Sequence, residues 1–149
     1  MNKTLILMRH GEAGVAAPRD FDRPLTAQGA EKCRLQGMLL TEQGFQLSQL
    51  VTSPALRAFS SALAVAEAMH YPETKIMADE ALYNAPTDVL FNTIQDFEDS
   101  WHTVLLIAHN PGLSALARAF NPDISADLDV GDFCVLSFPV LHWQDVNRP

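Results

Sequence analysis

The sequence predicts an α/β fold, a three-layer α/β/α sandwich around a mainly parallel sheet. Three observations predict it. Short apolar runs alternate with longer segments of helical spacing, the pattern of parallel strands joined by crossover helices. Two runs, at 4–8 and 103–108, are apolar almost throughout, as strands covered on both faces require. Three runs end in polar residues, at the carboxyl end where such sheets bind ligands. The 149 residues fit one domain, taken as 1–149, and 48 % of them are apolar, enough for one sizeable core.

The elements follow in order. Thr4 to Met8 is the first strand and stops at Arg9-His10-Gly11, where the glycine permits a sharp turn. Residues 13 to 24, with Gly14, Pro18, Pro24 and alternating charges, read as a surface loop. Thr26 caps a helix to about Gly44, with Ala30, Cys33, Leu35, Met38 and Leu39 at helically spaced apolar positions. Leu47 to Thr52 is the second strand. Ser53-Pro54 reads as an N-cap followed by proline in the first turn of a helix to about Met69. Thr74 to Met77 is a third, short strand, and Asp79 to Pro86 a loop. Thr87 caps a helix to about Ser100 that sets Val89, Leu90, Ile94 and Phe97 on one face. Thr103 to Ala108 is a buried strand ending at His109, and Asn110-Pro111 opens a helix in the same cap-then-proline manner. Phe133 to Phe138 is the last strand. The stretch holding Pro139, Trp143 and Pro149 carries no clear signal of either kind.

Acidic residues outnumber basic ones 18 to 10, and the formal net charge is −8. That balance excludes a nucleic-acid surface, which needs a basic stripe. An anion site on such a body must be a local basic pocket. The two cysteines, Cys33 and Cys134, form no C-x-x-C pair and no disulfide framework, so they read as buried free thiols in a reducing cytoplasm. No apolar run approaches the roughly 18 residues of a membrane helix. The N-terminal run is too short for a signal h-region and leads directly into Arg9-His10. The expectation is a soluble, cytoplasmic protein.

The chemistry lies at the strand ends. Arg9-His10 follows the first strand, Ser53 to Arg57 the second, and His109-Asn110 the run at 103–108. Two of these junctions open helices, whose free N–H groups favour anions. The topology lets His10, Arg57 and His109 meet. Phosphoryl transfer needs positioning and positive charge around the equatorial oxygens more than covalent help. Arg9 and Arg57 can each fork two hydrogen bonds to phosphate. Cations beside His10 keep its ring unprotonated and therefore nucleophilic. A protonated His109 would donate to the phosphoryl group in the transition state. Arg23 either binds phosphate too or pairs with Asp20 or Asp22, and Glu12 reads as a structural hydrogen-bond partner. H-E-x-x-H is absent and His70, His102 and His142 are scattered, so no metal site and no cofactor are expected.

Four segments carry a specific resemblance. Arg9-His10-Gly11 after an apolar strand, Arg23-Pro24-Leu25-Thr26-Ala27-Gln28-Gly29, Ser53-Pro54-Ala55-Leu56-Arg57-Ala58 and Ala108-His109-Asn110-Pro111-Gly112 resemble, in order, the motifs of the histidine phosphatase superfamily. The resemblance implies a phosphoglycerate-mutase-like fold, a nucleophile at His10, and phosphate-binding roles for Arg9, Arg57 and His109. The short chain, with R-P-L-T and H-N-P-G, is most similar to the SixA-type phosphohistidine phosphatases. That implies a metal-independent hydrolase acting on a phosphorylated histidine phosphotransfer domain or sensor kinase. The sequence departs from the family pattern after Ala58, where Phe59-Ser60-Ser61-Ala62 replaces a polar residue before Thr-Ala. Glu80 lies near the family position of the general acid, and Asp20 is a second candidate. Two other readings compete: a small-molecule phosphomonoesterase or mutase with the same nucleophile, and a non-catalytic phosphate-binding module.

Overall fold

The computed structural model describes residues 2–147. Its strands are β1 (Lys3–Arg9), β2 (Gln49–Thr52), β3 (Met77–Ala78), β4 (Thr103–Ala108) and β5 (Phe133–Phe138). They lie in one sheet in the order β3-β2-β4-β1-β5. The pairings among β1 to β4 are parallel, and β5 runs antiparallel along β1. The helices are α1 (Ala27–Glu42), α2 (Leu56–Ala68), α3 (Thr87–Gln95) and α4 (Gly112–Phe120). The mainly parallel α/β architecture is the one the apolar runs predict.

Alternation along the central strands divides the core in two. Leu5, Leu7, Val104 and Leu106 pack with Leu90, Ile94, Leu113 and Leu116 of α3 and α4. Ile6, Met8, Leu105 and Ile107 pack with Cys33, Leu40, Ala62 and Val65 of α1 and α2. A strand that supplies both layers must be apolar at every position, which is why the runs at 4–8 and 103–108 do not alternate. β1 and β4 pair in register from Thr4 opposite Thr103 to Arg9 opposite Ala108. They therefore end together, and the residues that follow, His10 and His109, emerge side by side.

Several local expectations are corrected. On α1 the buried residues are Gly29, Cys33, Gly37 and Leu40, while Leu35, Met38 and Leu39 are exposed. Packing selects the narrow face: a Cβ on Gly37 would lie 2.8 Å from Ala68 Cβ and 3.0 Å from the Val65 carbonyl of α2. Ser53 does not cap α2, whose N-cap is Ala55 without a side-chain bond. The Ser53 hydroxyl accepts from the Ala55 amide at 3.2 Å, just before the helix, and also meets His109. Thr87 does not cap α3 either; its hydroxyl donates to the Gly112 carbonyl of the adjoining helix. That helix ends at Gln95, short of Ser100. The third strand falls at Met77–Ala78, because Glu73–Lys75 forms a 3-10 turn first. Cys33 is buried, as expected, but Cys134 is only half-buried, on the antiparallel edge strand β5. Beyond that strand Trp143 opens a 3-10 turn and is fully buried, its indole donating to the Trp101 carbonyl at 2.8 Å; Pro149 lies outside the described residues.

Candidate active site

The ends of three strands and the loop after β1 converge at the carboxyl end of the sheet. His10 follows β1, Arg57 is the second residue of α2, His109 follows β4, and Asp20 opens a 3-10 turn (Asp20–Asp22) in the loop after β1. The His10 and His109 ring centroids lie 5.1 Å apart. Arg57 sits between them, nearly buried, with Nε 3.4 Å from His10 Nε2 and Nη2 3.3 Å from His109 Nδ1.

The hydrogen bonds fix the tautomers. His10 Nδ1 lies 2.7 Å from the Gly11 carbonyl, which can only accept, so Nδ1 carries the proton. Nε2 is then unprotonated, and its lone pair accepts from Arg57 Nε at 3.4 Å. Burial, the largest cause, lowers the His10 pKa from 6.5 to about 4; the Gly11 carbonyl, next in size, pulls it up, and the charges of Arg57, Arg9 and Arg23 each lower it further. In His109 the guanidinium donates to Nδ1, so Nε2 carries the proton and donates to Ser53 Oγ at 2.7 Å. Burial, with His10 and Arg57 next, lowers the His109 pKa to about 3. Both rings are neutral in the free site. The protonated His109 considered from sequence requires an added negative charge.

The backbone around His10 is pinned from α2. The buried Ser61 hydroxyl donates to the Arg57 carbonyl at 2.6 Å and accepts from the Gly11 amide at 2.9 Å. Position 61, noted only as a departure from the family pattern, thus ties the histidine turn to the arginine helix. The loop is docked equally closely. A Cβ on Gly29 would lie 2.5 Å from the Glu12 carbonyl, so glycine is required for α1 to start against the turn. Thr26 caps α1 by accepting from the Gly29 amide and donates to Glu12 Oε1, which gives Glu12 the structural role expected of it.

The remaining polar groups sort themselves. Arg9 donates from Nη1 to the Leu128 carbonyl at 3.2 Å, while its buried Nε has no hydrogen-bond partner. An orphaned guanidinium donor beside a neutral histidine fits an anion that completes it. Arg23 pairs with Asp20 Oδ1 at 3.1 Å, and Arg19, not Arg23, pairs with Asp22. Asp20 also receives Arg57: Nη1 donates to its carbonyl at 2.8 Å and Nη2 to Oδ2 at 3.0 Å. Glu80 is exposed and lines a groove of about 410 Å³ with Met77, Ala78 and Asp96 at the β3 edge. Among the described residues, no group of three or more His, Cys, Asp or Glu side chains could hold a metal ion, and no helix is long and apolar enough to cross a membrane. Sequence reasoning missed Tyr83, whose hydroxyl donates to Asp20 Oδ2 at 2.6 Å. No spacing signal marks it, since it lies in a loop three residues past Glu80.

Comparison with known proteins gives the family and agrees with the fold. The chain is 29 % identical over 125 residues to the phosphohistidine phosphatase SixA of Escherichia coli (strain K12), covering 79 % of this chain and 74 % of that protein. The solved structure of a putative phosphohistidine phosphatase SixA from Nakamurella multipartitia superposes with a TM-score of 0.78 at 26 % identity, over 97 % of this chain and 89 % of the other. Phosphoglycerate mutase from Bacillus anthracis str. Sterne, at 14 % identity, shares the fold with a TM-score of 0.69 over 92 % and 88 % of the two chains. The model of the histidine phosphatase superfamily (branch 1) matches residues 5–85, more than half of the sequence and the part that holds His10, Asp20, Arg57 and Tyr83. With its fold that of phosphoglycerate mutase, this chain belongs to the histidine phosphatase superfamily and is a phosphatase of the histidine-nucleophile class.

Proposed function

We propose that the chain is a single phosphatase domain that hydrolyses phosphohistidine on a histidine phosphotransfer protein or domain, through a phospho-His10 intermediate. His10 Nε2 attacks phosphorus as the substrate P–N bond breaks and the substrate imidazole departs. Arg57, Arg9 through its unpaired Nε, and Arg23 hold the equatorial oxygens. An arriving dianion opposes the desolvation that keeps His109 neutral, so His109 takes a proton and donates to the phosphoryl group. Water then attacks phospho-His10, the second P–N bond breaks, and phosphate leaves with neutral His10 restored.

The observation that carries the choice of substrate is the state of the carboxylate that Arg57 links to His10. Asp20 accepts from Tyr83, Arg23 and Arg57, and these donors hold its carboxyl well below the usual carboxylate range. Glu80 faces another groove. A phosphate ester needs a protonated acid to release a poor alkoxide, whereas a phosphoimidazole already protonated on its other ring nitrogen releases neutral imidazole readily. A site whose acidic group is held ionised therefore favours phosphohistidine over esters. The SixA relatives carry that activity in their names. Two free thiols support a reducing compartment, and we place the enzyme in the cytoplasm.

The test supplies a phosphohistidine protein and a phosphate ester side by side and follows label on the enzyme. The expected result is an acid-labile, base-stable label on the wild type, absent from His10→Ala, with faster release of phosphate from the phosphoprotein. Rapid turnover of esters without release from the phosphoprotein would overturn the substrate. Labelling that persists in His10→Ala would overturn the nucleophile.

A further inference from the structure

Tyr83 sits where the 3-10 turn Glu80–Leu82 ends, and it touches three parts of the site. Its ring meets His109 edge-on, with centroids 5.5 Å apart and planes at 80°. It meets Phe21 of the Asp20–Asp22 turn in the same way, at 5.2 Å and 84°. Its hydroxyl donates at 2.6 Å to Asp20 Oδ2, the same oxygen that Arg57 Nη2 reaches at 3.0 Å. The tyrosine thus contacts one catalytic side chain directly and governs the acceptor of another.

The consequence follows from the donor inventory of Arg57. A guanidinium has five N–H groups in a rigid plane, so fixing two of its edges fixes the third. The Asp20 carbonyl takes Nη1 and the Asp20 carboxylate takes Nη2. With those edges fixed, Nε is left aimed at His10 Nε2. The Asp20 side chain is itself half-exposed and would otherwise move freely. Arg23 and Tyr83 are the groups that stop it. Phe21 and His109 in turn keep the tyrosine ring from swinging away.

We propose that Tyr83 is a positioning residue of the phosphoryl-transfer site, acting through the Asp20 carboxylate to aim the Arg57 guanidinium at His10 and through its ring to hold His109. The inference rests on the reading of His10 as nucleophile. It adds a residue from outside the four motif segments and gives Asp20 a role other than that of general acid. The residue touches neither the reacting phosphorus nor its oxygens.

A double-mutant cycle tests it, with Tyr83→Phe, Asp20→Asn and the pair, assayed on a phosphorylated phosphotransfer domain and on p-nitrophenyl phosphate. Tyr83→Phe keeps the ring and its packing and removes only the hydroxyl, so thermal stability is retained. The expected result is a fall in kcat of about tenfold, the worth of a lost hydrogen bond to a charged group, with KM little changed. In the Asp20→Asn background the same substitution costs less than about twofold, because the path through the carboxylate is already gone. A second readout is independent of turnover: the Asp20 carboxyl titration followed by carbon NMR. Its midpoint rises in Tyr83→Phe, because the donor that most favours the charged form has been removed. An unmoved midpoint, or an equal loss of kcat with and without Asp20, would overturn the proposal. Failure of the substrate reading would look different, as a wild type that does not turn over the phosphoprotein while the Asp20 midpoint still shifts.

Discussion

His10 owes its reactivity to two opposed neighbours. The Gly11 carbonyl takes the proton of one ring nitrogen, and burial of the ring, with the charges of Arg57, Arg9 and Arg23 adding to it, keeps the other bare. An exposed histidine would be partly protonated near neutrality and would then have no lone pair to offer. Followed by ring-carbon NMR in the free protein, His10 is expected to titrate with a midpoint near 4, well below its ordinary 6.5. A midpoint near the ordinary value would mean that the ring is more hydrated than the structure shows. The same residue-scale logic explains Arg57. A cation in the first turn of a helix is misplaced with respect to the dipole. Here two carbonyl- and carboxylate-derived contacts from Asp20 offset that cost, and both histidines use the charge.

At the scale of elements, α1 decides how the first two motifs meet. Its inner face is made of small residues, so the helix lies close against α2 and against the turn after His10. Hydrophobicity would have selected the face carrying Leu35, Met38 and Leu39, yet these are exposed. Gly37→Leu is expected to destabilise the fold by about 1–3 kcal/mol, the usual cost of overpacking a close contact. The effect should appear as a lower midpoint in chemical denaturation with an unchanged slope. A neutral outcome would show that α1 can move off α2 without penalty. Ser61 makes the complementary link from α2 to the Gly11 amide, which is how helix packing becomes geometry at the nucleophile.

For the molecule as a whole, the buried site makes stability depend on pH. His10 and His109 have folded pKa values of about 4 and about 3, against 6.5 when exposed. Between those limits the unfolded chain binds more protons than the folded one, so stability falls as pH drops from about 6.5 towards 4. Asp20 works in a lower window. Its folded pKa is depressed, so its contribution is present above the ordinary 3.8 and is lost only as pH falls through the folded value. Denaturation midpoints measured from pH 7 to 4 are expected to decline, and His109→Gln is expected to flatten the decline. A profile that stays level between pH 7 and 5 would contradict the burial of both rings.

The sequence by itself determined the layers of this protein and the candidate residues of its proposed site. Apolar runs that do not alternate fit strands covered on both faces, and three of the four motifs, at strand ends, named Arg9, His10, Arg57 and His109 as candidates. Such signals are local, because a strand, a turn glycine and a cap are each written in adjacent residues. Tertiary structure alone decided the rest. The in-register ends of β1 and β4 set the two histidines side by side, and the close contact with α2 chose the glycine face of α1. Ser53 accepts from the Ala55 amide and also meets His109, 56 residues away, and only the fold supplies that second partner. Asp20 and Tyr83, 63 residues apart, came together on one oxygen, and Glu80 was turned to another groove. These are choices between partners distant in the chain, and no local pattern records them.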